Sequence, residues 1–233
     1  MMDFRYAVQA LLLVFTTASI GACSTGPSVP SESHDGLVLM PDTRFGVVYA
    51  RPGADLAAYD SYGLAECEVA FRNNWQRDQN SSRMDLGNRV TQQDVDRIKD
   101  KLAEECGNYF RQALEQAPPY KLVERFSDGE QVLVVRPAII NLDIVAPDTR
   151  SPGVQRTYTT EAGEMTLLLE LFDGTTGEIL VRVIDQQRGR DSGYMQWSNS
   201  VTNQADAERI LRRWAEQLRK GLDEATKGAV TAE

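Results

Sequence analysis

Glu66 and Glu68 stand two residues apart in the run Ala65-Glu66-Cys67-Glu68-Val69-Ala70-Phe71, so in an extended strand both point to one face, opposite Cys67. Two carboxylates on one face are what glycosidic hydrolysis uses, provided that one is kept protonated in a cleft. Nothing else in the sequence builds that cleft, and a solvent-facing sheet surface accounts for the pair equally well. The single histidine, His34, lies in the Ser/Pro/Gly stretch 24–36, far in sequence from any packed element that could orient it as a base or ligand. A Ser–His mechanism would have to recruit that same histidine, and no G-x-S-x-G elbow presents a serine. Zinc-type Cys/His spacing is absent. The turn 173–178 holds two acids but neither the alternating ligands nor the length of a calcium loop. The sequence therefore predicts no catalytic residue, no metal and no cofactor. Arg209, Arg212, Arg213, Arg219 and Lys220 read as the solvated side of the last helix.

A short series of elements must position these side chains. Ala65, Cys67, Val69 and Phe71 share the inner face of a first strand. Thr91-Gln92-Gln93-Asp94 is a capping-box pattern, which satisfies free backbone donors where a helix starts. Val95, Ile98, Leu102, Cys106, Tyr109, Phe110 and Ala113 follow at helical spacing, and Pro118-Pro119 ends that helix. Residues 120–126 read as a second strand. The apolar run 132–145 reads as a central third, in which Pro137 calls for a bulge or a free edge. Met165, Leu167, Leu169 and Leu171 mark a fourth strand, and Ile179, Val181 and Val183 a fifth. Residues 173–178 join them in a bulged hairpin with Gly177 left-handed, a register that sets Glu170 opposite Arg182. Ala207, Leu211, Trp214, Leu218, Leu222 and Ala225 form the buried stripe of a C-terminal helix.

The order β-α-β-β-β-β-α predicts an α/β (α+β) fold: a mixed sheet of about five strands with two helices packed on one face. On the other face Leu133, Val135, Ile139, Leu168, Phe172, Leu180 and Ile184 are expected beside Glu66, Glu170 and Arg182. A surface that apolar is covered either by a partner or by residues 37–58 folding over it.

The front of the chain carries the most specific signal. Residues 7–20 are apolar enough for the core of a secretory signal but too short and too polar for a permanent membrane span. Ile20-Gly21-Ala22-Cys23 resembles the lipobox of bacterial lipoproteins, in which an aliphatic and two small residues precede the cysteine that receives diacylglycerol. The sequence thus divides into a signal peptide (1–22), a flexible lipidated tether (23–36) with a reach of roughly 20 Å, one periplasmic domain (37–226) and a disordered tail (227–233). Ser24 stands where an Asp would retain a lipoprotein in the inner membrane of enteric-type bacteria, which points to the outer membrane. The signal contains one acid and one base, so the mature chain keeps the net charge of −9. An acidic domain lacks the concentrated basic charge that drives nucleic-acid binding.

With Cys23 consumed by lipid, Cys67 and Cys106 remain as an even pair in an oxidising compartment. Both should point into the layer between the first strand and the first helix, where they form either a disulfide or two reduced core thiols. The loops 147–162 and 188–203 are expected to be neighbours at one end of the sheet. They carry Arg150, Arg156, Tyr158, Tyr194 and Trp197, a composition typical of interface anchors, although plain mobile loops would read the same.

Three stretches resemble a family of uncharacterised bacterial lipoproteins catalogued as domain of unknown function 3313. They are Val48-Tyr49-Ala50-Arg51-Pro52-Gly53-Ala54-Asp55-Leu56-Ala57-Ala58-Tyr59-Asp60-Ser61, Glu170-Leu171-Phe172-Asp173-Gly174-Thr175-Thr176-Gly177-Glu178 and Trp214-Ala215. The resemblance implies an envelope lipoprotein and carries over no catalytic residue. The sequence reading is therefore an outer-membrane lipoprotein facing the periplasm, anchored in the bilayer through acylated Cys23, and not an enzyme. Its domain would bind another envelope protein or stabilise an assembly. Two alternatives stand beside this: a cell-wall hydrolase using Glu66 or Glu68, and a carrier for a small lipid or peptide.

Overall fold

The computed structural model describes residues 29–81, 89–125, 130–144, 157–159, 163–189, 196–198 and 200–230. In chain order the elements are β1 (Val38–Leu39), β2 (Val47–Ala50), a 3-10 turn (Leu56–Ala58), β3 (Ser61–Leu64), β4 (Glu68–Phe71), α1 (Trp75–Ser81), α2 (Gln92–Glu115), β5 (Leu122–Val123), β6 (Val132–Asp143), β7 (Thr157–Thr159), β8 (Glu164–Asp173), β9 (Ile179–Arg188), β10 (Gln196–Ser198) and α3 (Ser200–Val230). The chain divides into two units, Met1–Pro30 and Ser31–Glu233, and every element belongs to the second.

Eight strands form one mixed sheet in the order β1-β2-β9-β8-β6-β3-β5, with β4 continuing along β6 beyond β3. β3 and β4 run parallel to β6, and β5 runs parallel to β3. The remaining neighbours in this sheet are antiparallel. The expected α+β architecture is present, but five strands and two helices were too few. β1 and β2 extend the sheet beyond β9 instead of folding over its face, and α1 occupies part of a stretch that reads as merely polar.

Of the first strand expected over 65–71 only 68–71 is a strand, β4, and a separate strand, β3, precedes it at 61–64. The break between them lies alongside Pro137. Val135 accepts from Ala65 N on that side of β6, and alternation turns Pro137 to the same side, where it has no N–H to give. β6 is neither an edge strand nor bulged at Pro137; its neighbour is interrupted there.

The hairpin behaves as its residues dictate. Gly177 has φ 71°, Gly177 N donates to Asp173 O at 2.8 Å, and Glu170 is the register partner of Arg182. At the start of α2, Asp94 N donates to Thr91 Oγ1 while Thr91 N donates to the Asp94 carboxylate, completing the capping box.

Both α2 and α3 pack on one side of the sheet. Cys106, Phe110, Leu114, Leu211 and Trp214 meet Leu133, Val135, Ile139, Leu167 and Leu169, all fully buried. The placement of Leu133, Val135 and Ile139 on the far face is thus corrected. Arg136 stands within the run on the same phase as Val134, Ala138 and Ile140, so the charge marks that side as outward, and pairing with the alternating β8 agrees. Val134, Arg136, Ala138 and Ile140 face outward beside Leu168, Glu170, Phe172 and Arg182. This outer face is partly covered by residues 31–37, read from sequence as tether and the start of the domain. Asp35 takes two hydrogen bonds from Arg182, and Leu37 is fully buried.

Arg219 is the other correction. It is buried in α3, not solvated, and its guanidinium donates to the carbonyls of Ala113, Leu114, Gln116 and Pro118 at the end of α2.

Candidate functional site

A groove of about 400 Å³ opens between the N-terminal halves of α2 and α3 and the sheet end where β6 and β9 finish and β8 begins. That volume is within the range of small-ligand and side-chain pockets. Its floor is apolar: Ile98 and Leu102 from α2, Leu142 from the end of β6 and Ile144 just after it, Met165 from β8, and Ala207 and Ile210 from α3. Leu142 reaches this floor through a backbone irregularity. Asn141 has φ 52°, a left-handed conformation that asparagine tolerates better than most residues. The register with β8 shifts there, which returns Leu142 to the helix side when strict alternation from Ile139 would turn it outward.

The wall is braced from behind by α1. Trp75 is 1% exposed and stacks on Phe71 with ring centroids 4.0 Å apart, and its Nε1 donates to Ile144 O at 3.2 Å. Gly163 and Gly189 leave room at the mouth. A Cβ on Gly163 would stand 2.8 Å from Asp143 O, so no larger residue fits without moving the backbone.

The rim bears Arg97, Lys101, Glu105, Asp143, Glu164, Gln204 and Asp206. Arg72 holds Asp143 at 2.6 Å, Arg188 holds Glu164 at 3.0 Å, and Arg209 holds Asp206 at 3.3 Å. Arg97 bonds Asp94 at 2.7 Å and Lys101 bonds Gln204 at 2.7 Å. Glu105 is different. Its nearest cation is Lys101 at 3.9 Å, beyond hydrogen-bond distance, and it accepts no hydrogen bond among the described residues. Burial raises its pKa above the ordinary glutamate value, and Lys101 offsets only part of that.

The residues singled out in the sequence fall elsewhere. Glu66 and Glu68 are exposed and line no part of the groove. His34 is also exposed, 3.9 Å from Asp35. Cys67 and Cys106 are joined across a Cα–Cα distance of 6.1 Å, tying the end of the β3–β4 break to the middle of α2. Cys23, Arg150, Arg156 and Tyr194 lie outside the described residues. Tyr158 and Trp197 are register partners in the two-stranded ladder of β7 and β10, which makes the two long loops neighbours. Sequence reading had no access to the groove, because its residues come from four elements and Ile98, Leu102 and Met165 read only as core positions. Among the described residues no group of three or more His, Cys, Asp or Glu is placed to hold a metal ion. No described helix is long and apolar enough to cross a membrane.

Residues 39–218 match the family described as "Protein of unknown function (DUF3313)". The chain belongs to this family. In this DUF3313 domain two of the three stretches that resemble the family meet at the end of β8 opposite the groove. Arg51 Nε donates to Ile179 O and Arg51 N to Leu180 O, both at 2.8 Å, while the Tyr59 hydroxyl donates to the Asp173 carboxylate. Burial, with the Asp173 carboxylate next to it, pushes the Tyr59 hydroxyl well above its usual pKa. The third stretch enters the core, where Trp214 Nε1 donates to Asp185 at 2.7 Å.

No curated protein matches the DUF3313 chain. Solved structures are similar to it at low identity, two among them as follows. One is the PelC dodecamer from Paraburkholderia phytofirmans, 11% identical over 74% of this chain and 98% of that one, with a TM-score of 0.35. The other is the hypothetical protein CT253 from Chlamydia trachomatis, 9% identical over 66% and 95%, with a TM-score of 0.30.

Proposed function

We propose that this chain is an outer-membrane lipoprotein facing the periplasm, anchored through acylated Cys23, whose domain is a non-catalytic module that binds a segment of another envelope protein in the α2–α3 groove. The observation that carries the reading is the state of the groove's carboxylates. Of the four acids among its described lining residues three are each held by an arginine, which leaves Glu105 no second free carboxylate among them for a two-carboxylate hydrolysis. Among the described residues no serine, threonine, cysteine, histidine or tyrosine lines the groove as a nucleophile. An apolar floor with a polar rim is, in contrast, the anatomy of a protein–protein contact. The anchor rests on the lipobox-like Ile20-Gly21-Ala22-Cys23, and the outer-membrane destination on Ser24.

Two measurements test this. Metabolic labelling with a fatty acid should mark the wild-type chain and not Cys23→Ser, because only the thiol accepts diacylglycerol. A photo-crosslinking side chain at Lys101 should give a discrete adduct with one envelope protein in living cells, and Ala207→Trp, which fills the groove, should remove it. Labelling of Cys23→Ser would refute the anchor. An adduct that survives Ala207→Trp would refute the groove.

A further inference from the structure

The apolar floor and the charges around it also specify the partner's chemistry. Asp143, Glu164 and Asp206 are already neutralised by arginines from this chain, and Arg97 and Lys101 have their own bonds. A ligand charge of either sign gains little from groups already paired at 2.6–3.3 Å. Glu105 is the exception. It projects from α2 one turn beyond Lys101, its side chain is 21% exposed, and no donor among the described residues lies within hydrogen-bond distance of it. Its oxygens still reach solvent at the rim, so water serves them until a partner's cation takes that place beside the apolar floor.

We propose that the groove's occupant is an apolar segment of a partner polypeptide carrying a lysine or arginine, whose cation pairs with Glu105 while its neighbouring side chains bury on Leu102, Met165 and Ile210. This rests on the reading of the groove as a partner site and adds the partner's character. The raised pKa of Glu105 fits the same picture: an incoming cation replaces the solvation that burial removes, and holds the acid ionised.

The test uses the mature chain in phospholipid nanodiscs and three synthetic peptides: acetyl-Leu-Val-Lys-Leu-Val-amide, and the same peptide with norleucine or glutamate in place of lysine. The lysine peptide should bind about tenfold tighter than the norleucine peptide, a difference of about 1.4 kcal/mol, and the glutamate peptide weakest. In Glu105→Gln the lysine and norleucine peptides should bind alike. In Ala207→Trp, after its thermal transition is shown to match wild type, none should bind. Equal binding of lysine and norleucine peptides to wild type, or a lysine preference that persists in Glu105→Gln, overturns the assignment to Glu105. The groove reading then stands only if Ala207→Trp still abolishes binding. Absence of all binding overturns the peptide occupant, as does native mass spectrometry showing a phospholipid held by wild type and lost in Ala207→Trp.

Discussion

The C-terminal end of α2 is closed by a side chain from another helix. A helix leaves its last carbonyls without intrahelical donors, and Arg219 supplies them, reaching Ala113, Leu114, Gln116 and Pro118 while Asp223 takes its Nε at 2.9 Å. Its guanidinium also lies over the Tyr120 ring, 4.4 Å from the centroid. Removing the donor takes the Arg219 bonds from the Ala113, Gln116 and Pro118 carbonyls and leaves Asp223 with the Tyr120 hydroxyl but no cation. Arg219→Ala should therefore cost about 3 kcal/mol, seen as a lower urea midpoint with unchanged slope. Arg219→Lys, with one compact donor head in place of a fork, should recover only part of it. A full recovery by lysine would mean that charge, not the fork, closes the helix. Asp185 is the comparable case inside the core, satisfied by Trp214 Nε1 and Gly46 N, both at 2.7 Å.

At the scale of elements, the turn before β1 is fastened by charge. Asp35 accepts from Arg182 at 2.8 and 3.0 Å, and Arg182 in turn donates to Glu170 at 2.8 Å. The Arg182 hydrogen bonds, aided by Ser33, hold the Asp35 carboxyl well below its ordinary value of 3.8. A depressed pKa contributes stability that is fully present above the unfolded value and is lost as pH falls through the folded one. The turn should thus stay closed at pH 4 and open only in stronger acid. At pH 7, Asp35→Asn should speed hydrogen exchange at the Leu39 amide, which donates to Ser31 O. Exchange at that amide equal to wild type would show that the pair does not fasten the turn.

The β8–β9 hairpin offers a second element-scale test. Gly177 has φ 71° with open space where a Cβ would stand, whereas a Cβ on Gly174 would meet Val132 O at 2.7 Å. Asparagine tolerates the left-handed region but not a backbone clash. Gly177→Asn should therefore fold with little loss, and Gly174→Asn should lower the thermal midpoint clearly. The opposite ranking would contradict the hairpin described here.

For the whole molecule, the Cys67–Cys106 bond closes a loop of 39 residues through the break between β3 and β4. In the chain-entropy account this stabilises the fold by about 4 kcal/mol, comparable to a large share of a domain's total stability. The double variant Cys67→Ala/Cys106→Ala should lose about that much in chemical denaturation. Wild type denatured without reductant should take up no thiol label at these two positions. Labelling before reduction would remove the bond from the account.

Local chemistry in the sequence determined the capping box at Thr91, the hairpin around Gly177, the buried stripe of α3 from Leu211 to Leu222 and the class of fold, because each depends on residues within a few positions of one another; Ala225, expected to end that stripe, is exposed. The match of Cys67 and Cys106 as an inward-facing pair was legible for the same reason, from two periodicities. Arg136 already marks the outward phase of β6, whose run is otherwise mostly apolar, whereas tertiary structure alone decided where its neighbours β3 and β4 part. It decided that Arg219 is buried, because the carbonyls it serves lie about a hundred residues earlier in the chain. It also made the groove. Ile98, Leu142, Met165 and Ala207 are ordinary apolar positions until packing leaves a space between them, and Glu105 is an ordinary helix glutamate until the same packing leaves it beside that space with no hydrogen bond from the described residues.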